Sequence, residues 1–176
     1  MDANKTTLSE TIDNYVNWLF SEFEIHSPPV DIKQICANLK IDIIVEDLTQ
    51  ISATARREIS GVLFVDESKG INAILINRSD SPRRQRFTIA HELGHYFLHR
   101  NEDEPKPVII SFRGDRCPME YEADNFAAEL LMPRKMLFNK YKQLLLPYAY
   151  LLANEFDVST LAMKYRMDTL GLKYYD

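Results

Sequence analysis

Residues 84–100 read RQRFTIAHELGHYFLHR. Within them His91, Glu92 and His95 form a His-Glu-x-x-His pattern. On a helix, positions i and i+4 share a face one turn apart. His91 and His95 can therefore aim two imidazoles at one point, as a tetrahedral zinc ion requires of its first two protein ligands. Glu92 lies roughly a quarter-turn round from His91, at about 3.6 residues per turn. That is beside a metal-bound water, where a carboxylate can take the water's proton as it attacks a peptide carbonyl. The pattern is short, and its surroundings give it weight. Phe87, Ile89, Ala90, Leu93, Phe97 and Leu98 mark a buried apolar helix. Two histidines and a glutamate inside such a helix are costly without a partner.

Working outward, Ser81 supplies an N-cap and Pro82 a proline at the first helical position, so the helix is expected over about 82–99. Upstream, residues 58–65 and 71–77 are β-rich runs around a turn at 66–70, which reads as a hairpin. Residues 41–46 read as a further strand, and 47–57 as a polar loop. Residues 8–23 form an amphipathic helix with Leu8, Ile12, Val16, Leu19, Phe20 and Phe23 on one stripe. A second helix is expected over 31–39, capped by Asp31 with Gln34 completing a capping box. Downstream, 100–118 is a charged connection with a short strand at 108–112, long enough to act as a lid or binding loop. Residues 119–132 form a helix closed by Pro133. The chain from Arg134 onward is helical in pattern, interrupted at Pro147, with Gly171 as a C-cap after Leu170.

The chain has 176 residues, 45% of them hydrophobic and 27% charged, which fits one globular domain. A net charge of −5 argues against general nucleic-acid binding. Residues 1–5 lack the apolar core of a signal peptide. The longest apolar run, 144–153, is broken by Pro147 and falls short of the roughly 20 residues that span a bilayer. Cys36 and Cys117 make no disulfide framework. A cytoplasmic location follows as the expectation, with no membrane partner. Cys36 lies on the apolar face of its helix and reads as core.

A catalytic zinc takes three protein ligands and keeps a fourth position for water. His99 lies about 12 Å along the helix from His91, too far to share the ion, and reads as a partly buried helix-end residue near the C-terminal dipole. The metzincin pattern needs a glycine and a histidine where Leu98 and Asn101 stand, so that class is excluded. The later helix offers Glu120 and Asp124 on one face. Glu120 can ligate, and Asp124 can accept a hydrogen bond from a ligating histidine. Glu122 points elsewhere and reads as solvated; spacing favours Glu120 over it as ligand, with both still candidates at this point. Cys117, three residues before Glu120, is an alternative fourth ligand or a masking thiol, although a lone cysteine is more often inert.

RFTIAHELGHYFLH at 86–99, followed by EADNFAAELLMP at 122–133, resembles the ImmA/IrrE family of metallo-endopeptidases. The stretches at 29–48, 61–66, 71–95 and 152–172 also look like that family's order, so the likeness covers nearly all of the chain after the first helix. The resemblance implies a gluzincin-like helix pair, one zinc ion per chain on His91, His95 and Glu120, and Glu92 as general base. It also implies a helix-turn-helix repressor as substrate or partner. The length implies the stand-alone form of the family. The expected fold class is α+β: a small antiparallel or mixed sheet packed on the two metal-binding helices, with additional N- and C-terminal helices. As a single domain it divides into N-terminal helices (1–40), sheet and metal-site helices (41–133) and a C-terminal helical cap (134–176).

Several finer expectations attach to this reading. A substrate strand could dock on a sheet edge, with the 58–65 or 71–77 run as candidate. Tyr121, Tyr96, His99 and the arginines of 100–118 are candidate oxyanion donors. Arg83, Arg84 and Arg86 sit at a helix start and read as a solvated face that an acidic partner can meet. Residues 152–166 loosely resemble a helix-turn-helix. From Tyr148 to Asp176, however, there are three basic and four acidic residues, so DNA binding is not expected. The rival class is a non-proteolytic zinc-fold module that sequesters the repressor.

Overall fold

The computed structural model describes residues 7–55, 58–66, 69–100, 108–114 and 117–176. The expected residues 1–5, the centre of the hairpin turn, most of the connection after Arg100, and Arg116 lie outside these. Twelve elements follow in order among the described residues: α1 (Leu8–Glu22), α2 (Ile32–Asn38), β1 (Asp42–Glu46), α3 (Thr49–Ala55), β2 (Ile59–Asp66), β3 (Ile71–Asn77), α4 (Pro82–Leu98), β4 (Val108–Phe112), α5 (Pro118–Leu131), α6 (Arg134–Tyr141), α7 (Ala149–Glu155) and α8 (Thr160–Thr169). The α+β class is as expected, and the sheet is of the mixed kind.

Local chemistry accounts for most boundaries. Thr7 and Glu10 close a reciprocal capping box on α1. Ser81 caps α4, with Pro82 inside its first turn. Asp31 caps α2 through the Gln34 amide at 3.0 Å. The Gln34 side chain donates forward to Asn38 at 2.9 Å, so this cap is one-sided and not the expected box. Gly171 follows α8 with φ +67°, a left-handed geometry that lets the chain reverse there. The expected loop at 47–57 instead holds α3. Thr49 donates to Asp47 at 2.9 Å at its start. No residue of α3 is buried, so no apolar stripe marked it in the sequence.

The sheet order is β1-β3-β2-β4. β1 pairs parallel with β3, while β2 pairs antiparallel with both β3 and β4. The strands expected to offer a docking edge, β2 and β3, are therefore the interior ones. Their backbone groups are occupied on both sides, and the edges are β1 and β4. A register shift between Ile59 and Gly61 marks a bulge in β2 opposite β4. It shifts the side-chain alternation by one, so Ile59 and Val62 fall in the same small cluster with Leu48. On the other face Leu63, Val65, Ile74 and Ile76 join the main core with α1, α2, α4, α5, α7 and α8.

The last helices are tied to this core by ion pairs. Arg83 donates to Asp157 at 3.1 Å and to Asn154 at 2.9 Å. Arg86 meets Asp157 at 3.2 Å and the Val30 carbonyl at 3.0 Å. These two arginines clamp the start of α4 to the α7–α8 turn and are not the free solvated face expected from sequence. Arg166 is buried, bonded to Glu129 and to the Met132 carbonyl of the α5 C-cap. It holds α8 against α5 and faces no external ligand. Among the described residues, no helix is long and apolar enough to cross a membrane.

Candidate metal centre

α4 and α5 lie side by side because both present small residues where they cross. A Cβ built on Gly94 would stand 2.9 Å from Ala123 Cα and 3.0 Å from its carbonyl oxygen. Ala123 and Ala127 are fully buried at the same crossing. This close approach brings the first turn of α5 onto the histidine face of α4. His91 Nε2 and His95 Nε2 face each other at 3.1 Å. Glu120 sets Oε2 3.2 Å from His91 Nε2 and Oε1 3.2 Å from His95 Nε2. Ligand atoms about 2 Å from a tetrahedral ion stand a little over 3 Å apart, roughly 3.3 Å. The three side chains therefore fit a metal ion. Among the described residues they form the group of ligating side chains that could hold one, with atoms within 4.8 Å of one another. Cys117 is exposed and outside that group.

The outer nitrogens of both rings are also engaged. His91 Nδ1 donates to Asp124 Oδ1 at 2.8 Å, one turn after Glu120. A ring that carries its proton on Nδ1 keeps the Nε2 lone pair for a ligand. His95 Nδ1 lies 2.8 Å from His99 Nδ1, and His99 Nε2 lies 3.0 Å from Glu122 Oε2. His99 is the C-cap of α4, but its side chain is only 6% exposed. The sequence reading missed this line from Glu122 to His95. His99 is bonded on both sides and Glu122 is its partner, not a solvated residue. The signal was present as the i, i+4 spacing of His95 and His99.

Glu92 is fully buried, and neither carboxylate oxygen has a hydrogen-bond partner. Burial raises its pKa to about 7, against the lowering effects of His91 and of the nearby Ser111 hydroxyl, which stands outside bonding geometry. A carboxylate tuned to neutrality and left unpaired is suited to accept a proton. For Glu120 burial works upward, but the bonds to His91 and His95 outweigh it and hold its pKa down at about 2. For His91 burial works downward, and the bonds to Asp124 and Glu120 carry it up to about 10.

The space for Glu92 comes from β2. A Cβ at Gly61 would meet Glu92 Oε1 at 2.5 Å and Thr88 Cγ2 at 2.7 Å. Gly61→Ala is expected to turn the Glu92 carboxylate and to slow a reaction that uses it as the base by about 10²-fold. Metal content measured on the same preparation should be unchanged.

A cleft of about 220 Å³ opens over the cluster, lined by residues that include Arg84, Thr88, His91, Arg113, Glu120 and Asp124. Phe112 of the edge strand β4 also lines it. Arg113 is held by Asp80 at 2.9 Å and Glu58 at 2.8 Å. Of the candidate oxyanion donors, His99 has both nitrogens engaged, Tyr121 is 65% exposed, and Arg113 lines the cleft.

The family model described as Peptidase M78, the IrrE N-terminal-like domain, matches residues 36–168. The chain belongs to the ImmA/IrrE metallopeptidase family. It is 30% identical over 146 residues to the metallopeptidase ImmA of Bacillus subtilis, covering 80% of this chain and 77% of that protein. It is 38% identical over 68 residues to the radiation response metalloprotease IrrE of Deinococcus radiodurans, covering 38% of this chain and 21% of IrrE. Among solved structures, a Mycobacterium tuberculosis transcriptional regulator matches with TM-score 0.52 at 17% identity, over 89% of this chain and 46% of that one. The last likeness is one of fold. Metallopeptidase chemistry is the family's, and the His91–His95–Glu120 cluster lies within the matched segment.

Proposed function

We propose that this metallopeptidase is a zinc endopeptidase that cuts a helix-turn-helix repressor, with His91, His95 and Glu120 holding the ion and Glu92 acting as general base. The observation that carries the reading is the convergence of two Nε2 atoms and the Glu120 carboxylate next to the unpaired, buried carboxylate of Glu92. A zinc ion held there would polarise the scissile carbonyl and bring the pKa of water towards neutrality. Glu92 takes the proton of the attacking water and delivers it to the leaving amine. Asp124 keeps His91 in the ligating tautomer. A substrate strand adds to the outer edge of β4, whose inner edge pairs with β2. Arg84 in the cleft wall meets acidic side chains of that strand.

The test is co-expression of the chain, as wild type and as Glu92→Gln, with a candidate repressor, followed by mapping of new protein ends by mass spectrometry. One cut that needs Glu92 supports the reading. A repressor left intact in both, with its target genes still released, would replace it by sequestration.

The charge on His91 predicts how metal uptake responds to pH. Its pKa stands raised to about 10, so below that value the ion must displace a proton. Affinity therefore falls as pH falls, by about tenfold per unit for one displaced proton. The rise in melting temperature on adding zinc should accordingly be larger at pH 8 than at pH 6, as read by differential scanning fluorimetry.

A further inference from the structure

We propose that Glu122 and His99 are positioning residues that set the tautomer of His95 and so keep its Nε2 lone pair on the metal position. This rests on the metal-site reading above, and adds to it two residues that touch neither ion nor substrate.

The argument is one of proton counting. Two ring nitrogens that face each other at 2.8 Å, His95 Nδ1 and His99 Nδ1, share one proton, because two donors or two acceptors repel. Which ring carries it is decided at the far end. An ionised Glu122 only accepts, so His99 Nε2, 3.0 Å from Oε2, must donate. A neutral His99 then has a bare Nδ1. His95 must supply the proton from its own Nδ1, and its Nε2 is left with a lone pair facing His91 Nε2 and Glu120. His91 fixes its Nδ1 proton in one step, on Asp124. His95 cannot, because its outer nitrogen points along the helix axis to the next turn. The rings follow that line, with His91–His95 centroids 4.8 Å apart and His95–His99 centroids 4.9 Å apart. His95 and His99 are 1% and 6% exposed in their side chains, so water does not compete for the shared proton. Glu122 is 33% exposed and can be exchanged without opening the core.

The relay predicts that the sign of the group at position 122 decides ligation. Glu122→Lys presents a donor to His99 Nε2, moves the His99 proton to Nδ1, and leaves the His95 proton on Nε2, where a ligand lone pair is needed. Zinc affinity, measured by competition with a chromophoric chelator, should fall by about 10–100-fold. Glu122→Gln keeps an acceptor oxygen and should stay within a few-fold of wild type. Long-range ¹⁵N spectra of the wild-type protein in chelator should place the His95 proton on Nδ1, a readout that needs no variant. Thermal unfolding in chelator should be similar for all three proteins. Zinc binding by Glu122→Lys equal to wild type, or a wild-type His95 proton found on Nε2, would overturn the relay while leaving the metal site standing. A wild-type protein that binds no zinc would overturn the metal site and the relay with it.

Discussion

Glu92→Gln is expected to leave the metal bound and to slow peptide cleavage by about 10²–10⁴-fold, the usual contribution of a general base. Glutamine matches the carboxylate in shape but cannot take a proton at neutral pH. Metal content should hold, because the three converging atoms belong to His91, His95 and Glu120. The same substitution has a signature in stability. Burial raises the Glu92 pKa to about 7 from the ordinary 4.5. A carboxyl with a raised folded-state pKa favours the fold while protonated and loses that contribution as pH climbs from the unfolded value to the folded one. Wild-type protein in chelator should therefore lose stability between about pH 4.5 and pH 7 relative to Glu92→Gln, which has no charge to bury. Melting temperatures of the pair at pH 5 and pH 8 check the sign. A difference that does not change in the variant's favour between the two would show that Glu92 is not the buried, unpaired acid described here.

Gly94→Val should be the most damaging single change in the helix pair. Glycine inside a helix ordinarily costs about 1 kcal/mol relative to alanine, so replacing it would stabilise an isolated helix. Here packing reverses that sign. The first added carbon would stand 2.9 Å from Ala123 Cα, against backbone that cannot swing aside. Overpacking of this kind costs about 1–3 kcal/mol, and valine adds two further methyls. For a chain of this length each kcal/mol moves the melting temperature by about 2–4 °C. Forcing α4 from α5 also draws His91 and His95 away from Glu120, so zinc affinity should fall together with stability. An unchanged melting temperature with normal zinc binding would show that the helices do not cross at Gly94.

Much of this centre was legible in the chain because it depends on local geometry. The i, i+4 spacing places His91 above His95 on any α-helix. Ser81 and Pro82 start that helix. Glu120 and Asp124 were readable as one face for the same reason. α3 was not legible, because a helix with no buried face leaves no apolar stripe. The clamps from Arg83 and Arg86 were invisible for a different reason: their partner Asp157 is more than seventy residues away.

The sequence by itself determined the helix that carries His91, Glu92 and His95, the faces on which their side chains stand, and the α+β class. Only the tertiary structure decided that Glu120 meets the histidines while Glu122 turns to His99, that β4 and not β2 or β3 is the strand edge beside the cleft, and that Gly61 makes room for Glu92. The division has one cause. Rise and twist per residue are set by the backbone and repeat in every helix. The approach of two elements joined by a long connection is set by which side chains fill the space between them, and no local pattern of residues records that.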